Sequence, residues 1–189
     1  MRESIKITRK YQFGYMLLKH VTTVFFILLI ELLIFGQLLT MNVVKNIMAG
    51  IMIFCYSVSI YTSSNTLASK DMKPYTPLNA DIKFGFLWGL TISATIAVAY
   101  VFYRINWAVF ATDGSMVGIG PVLYNMFYMF WTAPYFGFSS SEGGSVAYYV
   151  VAIMLIIPPV MTTMGYYTAI KKIYLSDKLI AFMHEKGDK

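Results

Sequence analysis

Four apolar runs, each long enough to cross a bilayer, constrain this chain more than any other feature. They cover roughly residues 21–41, 47–67, 84–103 and 146–169 of 189. A hydrocarbon core takes about 20 residues of helix to span. Inside lipid each segment must satisfy its own backbone polar groups, and these runs lack the two-residue alternation of a barrel strand. Each therefore reads as a transmembrane α-helix. Composition agrees: 58 % of residues are hydrophobic and 13 % charged, against roughly 25 % charged in a soluble domain. The expected fold is an all-α membrane protein, a four-transmembrane-helix bundle forming one integral domain over 1–189. An outer segment covers 104–145 and a tail 170–189.

Charge sets the expected orientation. Thirteen of the fifteen Lys and Arg residues precede the first run, lie between the second and third, or follow the fourth. Only Lys45 and Arg104 fall on the other side. The positive-inside rule then places both termini in the cytoplasm, with the plasma membrane as the expected location. The net charge of +6 is spent on this topology, and no basic, aromatic-studded soluble face offers itself to nucleic acid. The first run is too long for a signal-peptide core, and no A-x-A-like site follows Leu38-Leu39-Thr40-Met41, so an uncleaved span is expected. Residues 42–46 read as a tight outer turn. Pro74 and Pro77 keep the inner loop extended.

Several features carry functional expectations. Glu31 sits at the centre of 21–41, where an acidic residue costs roughly 2.5–3.5 kcal/mol and normally faces the protein interior. Folding the first hairpin about Val44 puts it level with Ser57, and the other mid-span positions are Ser93, Thr95 and Pro158. Pro158-Pro159 removes the amides that would bond the carbonyls of Met154 and Leu155. Freed carbonyls beside Glu31 could hold a proton or cation. In a static kink, Thr162, Thr163 or water would supply the bonds instead. Nine of the eleven residues 56–66 are polar, so that end of the second span lines a wet vestibule, packs among helices or projects from the membrane.

Gly85, Gly89, Ser93 and Ala97 recur every four residues on the third span, a small-residue stripe that admits a close helix neighbour. Residues 121–138 hold eight aromatics. As a helix, Tyr124, Tyr128, Trp131 and Tyr135 form one stripe with Phe127 beside it. That segment is too short to span and reads as an interfacial or re-entrant helix, with its aromatics as a partner-docking surface. Leu179, Ile180, Phe182 and Met183, with Lys178 and Lys186, read as an amphipathic surface helix.

No metal-ligand spacing surrounds His20 or His184, and no phosphate loop, dinucleotide fingerprint or nucleophile elbow occurs. Asp71 and Asp81 read as solvated loop carboxylates. Cys55 stands alone, so no intrachain disulfide is possible. No enzyme activity and no cofactor or metal is expected. The function expected is that of a non-catalytic subunit or accessory factor of a larger membrane assembly. Its partners would be membrane lipids and a membrane protein or second copy. The alternative is a homo-oligomeric channel or proton- or cation-linked carrier built on Glu31. Reporter fusions after Asp71 and Lys189 are expected to read cytoplasmic and one near Gly114 external; an external reading at Lys189 would contradict the topology.

Overall fold

The computed structural model describes residues 9–38, 42–74, 78–112, 115–116, 126–135 and 148–173. Four long helices dominate: α1 (Arg9–Leu38), α2 (Asn42–Asp71), α3 (Ile82–Phe110) and α4 (Tyr148–Ile170). Each is long and apolar enough to cross a membrane. After α3, Ala111–Thr112 and Ser115–Met116 pair as a two-residue antiparallel ladder. A short helix at 126–131 follows, and a 3-10 turn at Ala133–Tyr135. The expected amphipathic tail helix and Tyr124 lie outside the described residues.

The helices begin earlier than hydropathy suggests. Residues 42–46, expected as a turn, open α2, because they contain neither Gly nor Pro to break a helix. α1 begins at Arg9, well before the apolar run 21–41. The cause is that the polar residues of its first half point inward: Gln12 and His20 are fully buried. A helix whose polar groups are satisfied across the bundle can enter lipid without an all-apolar sequence.

α4 is the central element, packed along α3 on one side and α2 on the other. The close approach to α3 is made by the small-residue stripe. A Cβ at Gly85 would stand 2.7 Å from the Tyr166 Cβ, and one at Gly89 would run into the Pro159 backbone. One turn further on, Ser93 Oγ donates to the Leu155 carbonyl at 2.7 Å. Ala97 is partly buried. Against α2 the same role falls to Gly165, whose added Cβ would strike the Tyr61 carbonyl.

The ends are capped. Asp81 accepts the Lys83 amide at 2.9 Å through its side chain, an N-cap for α3. α4 closes with Ile173 N–H donating to the Thr168 carbonyl at 2.9 Å and Lys172 at φ 53°. That left-handed closing position usually belongs to glycine.

Gly89→Leu is expected to destabilise the bundle by about 1–3 kcal/mol or prevent folding, as overpacking does. Leu90→Ile, on the exposed face, should leave it within about 0.5 kcal/mol. Unfolding of the two purified variants in detergent checks this; equal stability would contradict the close contact.

Candidate functional site

The polar residues of the four helices gather into three groups. The first closes the end of the bundle where α1 begins and α4 ends. Asp71, the last residue of α2, is almost fully buried. It accepts from Arg9 Nη1 at 2.6 Å, from Gln12 Nε2 and from the Tyr166 hydroxyl at 2.8 Å. Arg9 also bonds Gln12 Oε1 at 2.8 Å and the Asn79 carbonyl, and its guanidinium lies 3.7 Å from the Phe84 ring centroid. The sequence placed Asp71 in solvent. The structure corrects this: continuing α2 to Asp71 carries the carboxylate under α1 and α4, where three donors saturate it.

The second group lies midway along the helices. His20 Nδ1 meets the Tyr56 hydroxyl at 2.9 Å, and Thr23 Oγ1 meets Ser59 Oγ at 2.8 Å. The 3-10 turn packs against both α1 and α2. Its Tyr135 ring is 6.0 Å from Tyr56, and Trp131 is 5.7 Å from His20, both edge-on. The Trp131 indole N–H donates to Thr95 Oγ1 at 3.0 Å. Tyr128 stacks on Tyr103 at 4.2 Å. So Tyr128, Trp131 and Tyr135 face the chain's own helices. The exposed docking surface expected from them is reduced to Phe127 and Met126. An aromatic stripe at helical spacing marks a contact face without saying whose, and here the near face of α3 offers Tyr100 and Tyr103.

The third group runs along α4. α4 is continuous through Pro158 and Pro159. The carbonyl freed by Pro159 belongs to Leu155, and Ser93 of α3 fills it. Thr162 and Thr163 instead bond the prolines' own carbonyls, at 2.8 and 2.6 Å. On the α2 side, Ser64 donates to the Thr162 carbonyl at 2.6 Å. Asn65 donates to the Gly165 carbonyl at 3.1 Å, and the Tyr61 and Thr168 hydroxyls meet at 2.7 Å. Thr62, Ser63 and Thr66 bond carbonyls one turn back in α2. The polar end of α2 is thus a helix-packing surface.

Glu31 stands apart from all three. Eight residues on from Thr23 is Glu31; eight back from Ser59 is Ile51. Glu31 therefore sits about 9 Å along the helix from Ser57 and does not share a level with it. The shift follows from α2 beginning at Asn42, so the hairpin folds before that residue and not about Val44. Glu31 is 4 % exposed, and neither carboxyl oxygen has a hydrogen-bond partner among the described residues. Ser57 is partly buried. Of the five residues expected around Glu31, Ser93 bonds the Leu155 carbonyl that Pro159 leaves free, while Thr95 joins Trp131.

Sequence reasoning missed the roles of Gln12, His20, Asp71 and Gly165. The spacing of Gln12, Met16, His20, Val24, Ile27 and Glu31 carries a signal for the inward face of α1, all of them buried. No group of three or more His, Cys, Asp or Glu side chains could hold a metal among the described residues. An apolar groove of about 550 Å³ runs outside α3 and α4, lined by Phe86, Leu90, Ile156, Val160 and Met164 among others.

Fold and site together define a multi-pass integral membrane protein. No protein-family model, curated protein or solved structure matches the chain.

Asp71→Ala would leave Arg9 without its counter-ion in a largely buried place. It is expected to cost about 3–5 kcal/mol, whereas Asp81→Ala, the loss of an exposed cap, should cost about 1 kcal/mol. Denaturant unfolding of both variants in one detergent checks the ranking; equal costs would contradict the buried cluster.

Proposed function

We propose that this protein is a non-catalytic subunit or accessory factor of a larger membrane assembly. Both termini would face the cytoplasm, and the 126–135 segment would re-enter the bundle from the outer side. The observation that carries the reading is how the mid-bundle polar atoms are spent. The Leu155 carbonyl is taken by Ser93, Thr95 by Trp131, and the proline carbonyls by Thr162 and Thr163. A cation path needs such groups free and facing water. The first two bonds instead join separate elements, and the last two close turns within α4.

What remains outward is apolar. Leu18, Phe26, Leu32 and Leu33 of α1, and Ile47 and Phe54 of α2, are each more than half exposed. They suit lipid or another transmembrane helix. Orientation rests on the charge bias, and the basic residues Arg9, Lys70, Lys83 and Lys171 share the end closed by Asp71.

One observation favours the carrier instead: Glu31 is buried with both oxygens unpartnered among the described residues. Flux separates the two. Purified wild type in liposomes is expected to leave proton and cation permeability at the level of empty vesicles, and Glu31→Gln should assemble normally. A wild-type flux that Glu31→Gln abolishes would overturn the subunit reading and put the carrier in its place.

A further inference from the structure

The segment at 126–135 holds its position without the length of a membrane-spanning helix. Residues Thr132 to Tyr135 are all buried, and the 3-10 turn packs against both α1 and α2. Among the described residues its attachments include the Trp131 bond to Thr95, the contacts of Tyr128 with Tyr103 and Tyr100, and the edge contacts of Trp131 with His20 and of Tyr135 with Tyr56. The Tyr128 and Tyr135 hydroxyls are buried without a hydrogen-bond partner among the described residues. The wedge is therefore seated mainly by aromatic packing, at the cost of two unsatisfied polar groups.

His20 lies under this wedge. It is 1 % exposed. Its Nδ1 is engaged by Tyr56, while Nε2 is buried with no partner among the described residues. We propose that the 126–135 segment is a proton-released wedge, and that His20 is the group whose charging unseats it.

Neutral imidazole has one N–H donor and one acceptor nitrogen; Nδ1 is paired with the Tyr56 hydroxyl and Nε2 with no group among the described residues. Imidazolium carries two N–H donors and a full charge. Tyr56 can turn to accept one; the other requires an acceptor or water. Among the described residues the groups facing His20 are Tyr56 from α2 and Trp131 from the short helix, with Tyr135 behind Tyr56 and Thr95 of α3 bonded to Trp131. None is a carboxylate. Asp71 is held by Arg9, and Glu31 lies eleven residues further along α1. On α1 itself the neighbouring Lys19 ammonium lies over the Tyr15 ring and adds a like charge. A buried charge without a counter-ion must gain water. α1 and α2 are pinned to each other on either side of His20, by Arg9–Asp71 and Thr23–Ser59. The element free to yield is the wedge.

Hydrogen–deuterium exchange of the full chain in nanodiscs tests this, corrected for intrinsic exchange and titrated from about pH 7.5 to about pH 4.5. In wild type the 126–135 amides are expected to lose about tenfold or more in protection as pH falls, while α3 and α4 keep theirs. His20→Gln, which cannot charge, should hold protection constant. Tyr56→Phe keeps His20, so the loss should remain pH-dependent. Protection that does not change in wild type would overturn the proposal. So would a loss that persists in His20→Gln, since that would point to carboxylates such as Glu31, or one that vanishes in Tyr56→Phe.

Discussion

A single hydrogen bond, from Ser93 of α3 to the Leu155 carbonyl of α4, shows what organises this molecule. Proline at 159 cannot bond that carbonyl, and in hydrocarbon no water replaces the missing amide. The donor must come from a neighbouring helix, which must lie close. Closeness requires residues without side-chain bulk, and Gly85 and Gly89 stand in the two turns before Ser93, against Tyr166 and Pro159. The small-residue stripe and the proline pair are therefore halves of one device. The stripe lets α3 approach, and the serine at its end completes the backbone that the prolines interrupt.

The same rule builds the rest of the bundle. α2 meets α4 through Ser64, Asn65 and Tyr61, each bonded to a carbonyl or hydroxyl on the other helix. α1, which has less contact with its neighbours, is attached by polar points: Arg9 and Gln12 on Asp71, His20 on Tyr56, Thr23 on Ser59. The aromatic wedge packs against both α1 and α2. Polar residues in this protein are thus connectors between helices, and Glu31 is the one buried acid left outside that pattern among the described residues.

The existence of four spanning helices was legible because it depends on length and hydropathy. Their register was not. The apolar run 21–41 did not reveal the first half of α1, where Gln12 and His20 are buried because Asp71 and Tyr56 meet them across the bundle. That information lies in a different helix and cannot be read from α1 alone. The turn expected at 42–46 put Glu31 opposite Ser57, whereas α2 already begins at Asn42. Asp71 was misread for a related reason: a carboxylate beside Lys70 and Lys73 resembles loop, and only the path of α1 shows that Arg9 covers it. The aromatic stripe over Tyr128, Trp131 and Tyr135 was visible, but spacing identifies a buried face and is silent on what buries it. The partner for the Leu155 carbonyl was sought within α4, at Thr162 and Thr163, whereas it came from the stripe already noted on α3.

The account's central claim is that Ser93 exists to complete the backbone left open by Pro159. A double-mutant cycle between Ser93→Ala and Pro159→Ala, read by reversible unfolding in detergent, tests it most directly. In the native background Ser93→Ala should cost about 0.6–2 kcal/mol, the range of membrane hydrogen bonds. In the Pro159→Ala background the restored amide supplies the Leu155 carbonyl, so Ser93→Ala should cost close to nothing, giving a coupling of similar size. An equal cost of Ser93→Ala in both backgrounds would contradict the claim.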